Sequence, residues 1–346
     1  MITKEYADFS WQQAEQLLSI DSPSGYTDYA ALWLKSSFEM LGFPASITTK
    51  GGILVDLGGE NADDALMLAA HTDTLGAMVA QIKGNGRLRL TPLGGMNANN
   101  AEAETVRIYT RGGKVLEGTF QLCNASIHVN GDYNTAKRSF DTMEVVLDED
   151  VSSAADTRKL GIEVGDIVCF DPRTRRTASG YLKSRFLDDK LSVGILLGFA
   201  KYIADNRITL KRKTYIHITV YEEVGHGGSG SLPHGVTEAI SVDMGCVGDG
   251  LACTERQGSI CAKDSGGPYS YQVVGKLIEA ARKSEADYAV DVYPYYGSDV
   301  EATLRAGFDI RHGLIGPGVY ASHGYERSHI DGVMNTLKVL CGYLDC

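Results

Sequence analysis

The sequence lacks several features that would place it in particular classes of protein. No apolar run approaches the roughly 18 residues needed to span a bilayer, which excludes a transmembrane helix. Basic residues are in the minority, with 33 Lys and Arg against 44 Asp and Glu and a formal net charge of −11. This charge argues against nucleic acid or an anionic membrane surface as a partner, because both would repel the protein.

Cysteine is scarce and is not arranged in pairs. The seven cysteines are an odd number, and no two have the Cys-x-x-Cys spacing, so we expect reduced and mostly buried thiols. The N-terminal residues lack the charged and then apolar pattern of a secretion signal. Both observations predict a cytoplasmic protein.

Glycine is the residue type in excess. It accounts for 40 of 346 residues, or about 12% against a usual ~7%, and predicts many tight turns or close backbone approaches. The apolar fraction of 43% and the charged fraction of 22% are ordinary for a globular protein and exclude a largely disordered chain. The length of 346 residues predicts about two domains.

The apolar pattern changes twice along the chain and indicates that one domain is discontinuous. Before residue 75 and after residue 176, helical patterns alternate with strand-like runs, which is typical of an α/β layer with a mostly parallel sheet. Between these positions, short runs are separated by glycine-rich turns, which is typical of a β-barrel. We therefore predict an α/β domain of residues 1–74 and 177–346, with an inserted β domain of residues 75–176.

Histidines and acidic residues stand at five places where predicted strands end or helices begin. These residues are His71 with Asp73, Asp188 with Asp189, Glu222 with Glu223, Asp243, and His323. Ligands of open α/β sheets gather at the carboxyl ends of strands, so the five places are expected to converge. Two imidazoles and several carboxylates suit zinc, cobalt or manganese rather than a soft thiolate site.

Each place also has an ordinary structural interpretation. His71 and Asp73 could be a core histidine beside a turn, and Asp188 could simply cap a helix. Glu222 and Glu223 could lie in a solvated turn. Only the occurrence of all five places together favours a metal centre over these alternatives.

A glycine-rich segment offers a competing motif. Gly225 to Gly230 follows a strand and matches the Gly-x-Gly-x-x-Gly pattern of dinucleotide-binding folds. However, Glu222 and Glu223 would repel a pyrophosphate, and Pro233 comes too soon for the helix that should hold the phosphate. The segment is better interpreted as a flexible wall beside a metal centre.

Two further groups of residues have a less specific pattern. Tyr293, Tyr295 and Tyr296 are expected to pack in the core and in loops rather than to form a binding platform. His226 and His329 lie close in sequence to candidate ligands, and either could contact a substrate.

Taken together, the motifs resemble those of the glutamyl/deblocking aminopeptidase family, dinuclear metallopeptidases that often build tetrahedral, TET-type assemblies. The matching segments span nearly the whole chain and are Ser22-Pro23-Ser24-Gly25, Ala70-His71-Thr72-Asp73, Val164-Gly165-Asp166, Leu187-Asp188-Asp189-Lys190, Glu222-Glu223-Val224-Gly225, Val242-Asp243, Gly297-Ser298-Asp299 and Tyr320-Ala321-Ser322-His323.

The resemblance implies a fold and a metal site. The fold is a zinc-aminopeptidase-like three-layer α/β catalytic domain with an inserted PDZ-like β-barrel for dimerisation. Two divalent ions per subunit are implied, zinc or cobalt, with manganese also compatible. Asp188 would bridge the ions. His71 and Asp243 would complete one site, and Glu223 and His323 would complete the other.

The resemblance also implies catalytic roles. Glu222 would be the base that activates a metal-bound water, and Asp73 would hold the second ring nitrogen of His71. The implied function is removal of N-terminal residues from peptides or small dipeptide-like substrates. The implied assembly is a homo-oligomer built from dimers, such as a dodecamer. A deacylase or amidohydrolase on the same centre, and a non-catalytic scaffold with this fold, are the alternatives.

Three departures from the family pattern are expected to lie where substrate would bind. Lys190 replaces the usual Arg, His226-Gly227-Gly228 replaces a more apolar run, and Gly324 to Arg327 replaces a Ser-Pro continuation after His323. We therefore expect a substrate that is a small dipeptide-like or acylated amino-acid compound. The segment from Ser322 to Arg327 resembles a subfamily linked to synthesis of a dipeptide osmoprotectant.

Overall fold

Two helices and three strands come first along the chain. The computed structural model describes residues 2–346. These divide into one unit of residues 2–73 with 173–346 and a second unit of residues 74–172. The first elements are α1 (Lys4–Leu18), α2 (Asp28–Met40), β1 (Ala45–Ile47), β2 (Ile53–Asp56) and β3 (Asn61–His71).

Residues 74–172 form a closed, antiparallel barrel of six strands. Val106 and Ile108 are fully buried between more exposed neighbours, because successive strand residues face opposite sides. The strands close in the order β4-β5-β8-β7-β6-β9. The elements are β4 (Gly76–Ile82), β5 (Leu88–Leu93), a 3₁₀ turn (Ala98–Ala101), β6 (Glu104–Tyr109), β7 (Val115–Leu122), β8 (Met143–Leu147), α3 (Ala154–Leu160) and β9 (Ile167–Phe170).

The rest of the chain completes the larger unit. Its elements are β10 (Arg175–Arg176), β11 (Tyr181–Ser184), α4 (Leu187–Asp205), β12 (Arg212–Thr219), a 3₁₀ turn (Glu222–Val224), β13 (Val236–Val242), β14 (Gly245–Val247), β15 (Gly258–Lys263), α5 (Tyr271–Lys283), β16 (Tyr288–Val292), α6 (Asp299–Arg305), β17 (Arg311–Tyr320), β18 (Glu326–His329) and α7 (Ile330–Leu344).

Twelve strands of this unit form one mixed sheet. The strand order is β1-β2-β12-β3-β13-β17-β18-β11-β10, while β14 and β15 pair with β17, and β16 pairs with β15. The central strands β12, β3, β13 and β17 are all parallel to their neighbours within this set. Their carboxyl ends therefore lie at the same edge of the sheet.

Helix α4 is the buried helix of the larger unit. Every residue from Leu187 to Ala200 is buried, as expected for a helix that is apolar on nearly all sides. It packs against α1, α7 and strand β3. The predicted α/β architecture with a separate β-barrel is thus confirmed. No helix within residues 2–346 combines the length and apolarity that crossing a bilayer requires.

His217 of β12 is a buried histidine that is not among the candidate ligands. Its Nδ1 has no hydrogen-bond partner, and its ring faces Gly52. Burial, followed by the positive charge of Lys50, lowers the pKa of His217 from 6.5 to about 4.

We predict that this histidine makes folding pH-dependent. The folded state binds the proton less tightly than the unfolded state, so the stabilisation is complete above pH 6.5 and declines as the pH falls toward 4. The loss is about 3 kcal/mol over this window. Denaturant unfolding of the wild type and of His217→Gln at several pH values measures it. The two curves of unfolding free energy should converge as the pH falls, and parallel curves would refute the prediction.

Candidate metal centre

Four of the candidate residues lie at the carboxyl edge of the central strands. His71 is the last residue of β3, and Asp243 directly follows β13. Glu222 and Glu223 begin the 3₁₀ turn just after β12. Because β3 lies between β12 and β13 in the sheet, the three strand ends are neighbours.

Asp188 and His323 reach the same edge from a helix start and a loop. Asp188 lies in the first turn of α4, where its backbone angles are not helical. Its carboxylate faces two imidazoles, with Oδ1 3.3 Å from Nε2 of His71 and Oδ2 3.6 Å from Nε2 of His323. His323 follows β17, and its Nε2 also lies 3.6 Å from Oε2 of Glu223.

The side chains form two groups that could each hold a metal ion. His71, Asp188 and Asp243 form one group, and Asp188, Glu223 and His323 form the other. Within each group, one potential ligand atom per residue lies within 4.8 Å of the others. Asp188 is common to both. The five residues predicted to be ligands are therefore brought together, with Glu222 outside both groups.

The electrostatics of the cluster favour a cation. Burial, followed by the charge of Asp188, raises the pKa of Asp243 to about 7. Burial and neighbouring carboxylates also raise the pKa values of Glu222 and Glu223 well above the ordinary range. Burial opposes ionisation of Asp188 as well, but hydrogen bonds with His323 and His71 hold its pKa low. Oε1 of Glu223 is buried without a hydrogen-bond partner, so an acceptor is left free. The carboxyl groups are therefore costly to ionise together unless a cation lies between them.

Asp73 contacts more than His71. Nδ1 of His71 is 2.9 Å from the backbone oxygen of Asp73 and 3.6 Å from its Oδ1. The carboxylate accepts hydrogen bonds from Ser24 Oγ and from the backbone N–H groups of Glu222 and Glu223. Asp73 therefore joins the end of β3 to the turn that carries Glu222.

The structure adds Glu326 and Asp299 to the site. Glu326 is buried and accepts hydrogen bonds from the backbone N–H groups of Asp188 and His323, at 3.0 Å each. Asp299 is buried at the start of α6 and accepts a hydrogen bond from Thr219. Both residues lie in segments that the sequence singled out, Asp299 in Gly297-Ser298-Asp299 and Glu326 in Gly324 to Arg327, but the sequence alone assigned neither of them a role.

A cavity of about 450 Å³ opens beside the two ligand groups. Its lining includes Tyr295, Tyr296, Met244 and Arg305 as well as carboxylates of the site. Tyr293 is buried in the core, as expected. Tyr296 also packs as expected, against the ring of Tyr293 and with its hydroxyl on the backbone oxygen of Met244, while another part of it lines the cavity. The expectation was wrong for Tyr295, which is 94% exposed and lines the cavity after the chain turns at the end of β16.

The glycine-rich segment forms part of the cavity wall, as Gly225 and Gly227 line it. His226 stacks on Tyr221 with ring centroids 5.1 Å apart.

The expectation that His329 could reach substrate is wrong. Its ring is buried, bonds the backbone oxygen of Ser179, and accepts the N–H of Asp331 at the start of α7.

Lys190 is not a cavity residue, which corrects the expectation that it lies where substrate would bind. Its side chain is 1% exposed, and its Nζ donates to the backbone oxygens of Leu17 (3.0 Å) and Ile20 (2.6 Å). These oxygens lie at the C-terminal end of α1, where carbonyl groups lack helical partners and a cation is favoured. Lys190 thus holds α1 to the start of α4.

We predict that Lys190→Met lowers the free energy of unfolding by about 2–4 kcal/mol, because a buried and a half-buried carbonyl oxygen lose a charged donor. The Michaelis constant should change less than twofold. Lys201→Met on the same helix is the matched control, since Lys201 pairs with Asp205 at the surface and should contribute under about 1 kcal/mol. Equal destabilisation by the two variants in denaturant melts would contradict the assignment.

Comparison with known proteins yields a consistent set of relatives. The family model described as M42 glutamyl aminopeptidase matches residues 51–339. YhfE of Bacillus subtilis, whose name describes it as an aminopeptidase, is 44% identical over 330 residues, which is 95% of each chain. The glutamyl aminopeptidase of Lactococcus lactis is 27% identical over 63% of this chain and 61% of its own.

Solved structures with a similar fold include an aminopeptidase from the archaeon Desulfurococcus kamchatkensis. It has a TM-score of 0.86 and 20% identity over 98% of this chain and 95% of its own. The Pyrococcus horikoshii TET1 peptidase, described as assembling into a tetrahedron or a large octahedral shell, has a TM-score of 0.84 and 20% identity. It covers 97% of this chain and 99% of its own.

Proposed function

The chain belongs to the M42 glutamyl aminopeptidase family and is a peptide-bond hydrolase, and on this premise we propose that it removes N-terminal residues with two divalent metal ions. One observation carries the proposal. Asp188 is shared by two groups of potential ligands, so a single carboxylate can bridge two neighbouring ions. The deacylase and scaffold alternatives are not favoured, because the relatives are named aminopeptidases.

The residues present fit such a pair of ions. All donors are imidazole nitrogens or carboxylate oxygens, and the buried Oε1 of Glu223 lacks a hydrogen-bond partner. His71 and Asp243 would hold one ion, Glu223 and His323 the other, with Asp188 between them. This donor set supports zinc or cobalt and also accepts manganese.

Ions at these positions would polarise the substrate carbonyl and stabilise the negative charge of the transition state. The protein supplies the proton transfer. Oε2 of Glu222 lies 3.7 Å from Nε2 of His71. Glu222 belongs to neither ligand group, and it lines the cavity. Its carboxylate would take a proton from the attacking water and give it to the leaving amine. The turn at Glu222–Val224 keeps the carboxylate at this place, and Asp73 accepts the N–H groups that begin the turn.

The size and lining of the cavity limit which substrates can bind. Its volume of about 450 Å³ can hold one or two residues, and Tyr295 and Tyr296 provide flat apolar surfaces. We propose short peptides or dipeptide-like compounds as substrates, and the link to an osmoprotectant dipeptide stays a prediction. A panel of aminoacyl nitroanilides and short peptides tests the proposed substrate class. Fast cleavage of long, varied peptides would contradict a specialised substrate.

The assembly and location are also proposals. The P. horikoshii relative forms closed shells, which supports a homo-oligomer built from dimers, with the barrel of residues 74–172 as the dimerisation unit. The barrel exposes the apolar side chains of Ile127, Val129 and Val164, which a partner subunit could cover. All seven cysteines are free thiols, which supports a reducing compartment such as the cytoplasm.

Metal removal tests the proposed function directly. We expect about two ions per chain by elemental analysis, and a loss of at least about a hundredfold in kcat after chelation. Added zinc or cobalt should restore the rate. A chelated protein that keeps full turnover, or a protein with two ions that hydrolyses no N-terminal amide bond, would refute the proposal.

A further inference from the structure

Ser24 lies in the loop between α1 and α2, 49 residues before Asp73 in sequence, yet its side chain reaches the metal centre. Its Oγ donates to Oδ2 of Asp73 at 2.5 Å, and both side chains are buried. The other oxygen of the carboxylate, Oδ1, accepts the N–H of Glu222 at 3.1 Å. Ser24 is therefore linked to the proposed base through a single carboxylate.

The turn that carries the base depends on outside support. It contains only Glu222–Val224, so the N–H groups at its start have no partner within the turn. Tyr221, just before it, has a φ of 70°, a conformation that non-glycine residues rarely adopt. The carboxylate of Asp73 accepts the N–H groups of both Glu222 and Glu223 and so stabilises this backbone.

Ser24 restrains the rotation of the Asp73 carboxylate. Nδ1 of His71 lies 3.6 Å from Oδ1, farther than a hydrogen bond, and instead bonds the backbone oxygen of Asp73 at 2.9 Å. The hydroxyl of Ser24 holds Oδ2, the oxygen that also accepts the N–H of Glu223. With that hydroxyl removed, the carboxylate is less restrained and is free to rotate away from the N–H groups of the turn.

We propose that Ser24 is a positioning residue for hydrolysis, which orients Asp73 so that Asp73 fixes the turn bearing Glu222. The inference rests on the proposed function of Glu222 as the base. Ser24 acts through Asp73 and touches neither ligand group. Removal of its hydroxyl loosens the turn that carries both glutamates. Glu222 belongs to neither ligand group and is displaced, whereas a bound ion would keep the carboxylate of Glu223 in place.

The chain provides a matched control in the same loop. Ser22 is also buried, and its Oγ donates to the backbone oxygen of Thr72, directly before Asp73. Ser24→Ala and Ser22→Ala therefore remove the same group from adjacent places, but only the first removes a contact to the carboxylate. Thermal melts of both variants monitor the fold.

Steady-state kinetics gives the first readout. We expect Ser24→Ala to lower kcat about tenfold with KM within twofold and two ions retained, because a small displacement of a catalytic group has a large effect on rate. Ser22→Ala should change kcat less than twofold. In the Asp73→Asn background, Ser24→Ala should add less than a twofold effect, since its action passes through that carboxylate. Equal kcat values for the two serine variants, loss of metal, or multiplying effects in the double variant would overturn the proposal.

Hydrogen–deuterium exchange gives a readout that needs no activity. The backbone amides of Glu222 and Glu223 should exchange about tenfold faster in Ser24→Ala than in Ser22→Ala. Unchanged exchange would overturn the inference about Ser24. A wild-type protein without hydrolytic activity would instead refute the proposed function, while the exchange experiment would still report on the contact between Ser24 and Asp73.

Discussion

Replacing Glu222 by glutamine is expected to lower kcat by about a thousandfold and to leave both metal ions bound. The amide has nearly the same shape as the carboxylate but cannot accept a proton from the attacking water. Glu222 belongs to neither ligand group, and its carboxylate lines the cavity. The measurement is kcat on an aminoacyl nitroanilide or short peptide, together with elemental analysis of the same sample.

Glu301→Gln is the matched control for this variant. Glu301 is a buried glutamate of α6 that belongs to neither ligand group. The same chemical change should lower kcat there by no more than a few fold. A Glu222→Gln enzyme with wild-type kcat would remove Glu222 from the mechanism. Loss of metal from that variant would indicate that Glu222 is a ligand rather than a base.

Replacing Asp188 by asparagine is expected to affect both ions at once. Its two oxygens face different imidazoles, His71 and His323, and it is the residue common to both ligand groups. The amide offers one neutral oxygen and removes the negative charge between the ions. We expect fewer than one tightly bound ion per chain and a fall in kcat on the order of a thousandfold. The melting temperature should also lose its dependence on added metal.

Two neighbouring variants make this prediction specific. Asp189→Asn makes the same change at the next residue, whose carboxyl group belongs to neither ligand group, and it should keep both ions. Its Oδ2 accepts the backbone N–H of His71, and the oxygen of an amide can accept the same bond. Asp243→Asn should lose only one ion, because Asp243 belongs to a single group. If Asp188→Asn and Asp243→Asn lost the same amount of metal, the shared position of Asp188 would be wrong.

The fold was largely accessible from local patterns. Ala65 to Ala70 form an apolar run that is typical of a buried strand, and the structure has β3 at Asn61–His71. Val106 to Thr110 is one of the short runs that indicate a barrel, and the structure has β6 at Glu104–Tyr109. In both cases the spacing of apolar residues sets which faces can be buried, and this information is contained in a few consecutive residues.

The errors at the site have a common cause. Lys190 and His329 are close in sequence to candidate ligands, but their side chains point into packing contacts. Tyr295 is expected from the sequence to pack, but it is exposed and lines the cavity. Proximity along the chain does not determine the direction of a side chain once a helix start or a loop intervenes. Those directions depend on which distant segment packs against the residue.

The sequence by itself determined the chemistry available at the site, namely two imidazoles and several carboxylates placed next to strand ends. Only the tertiary structure decided that these side chains meet. The order β12-β3-β13-β17 places separate strand ends side by side, and α4 brings Asp188 between two histidines. The physical reason is that apolar periodicity specifies which residues of an element are buried, whereas the order of strands follows from contacts between segments far apart in the chain.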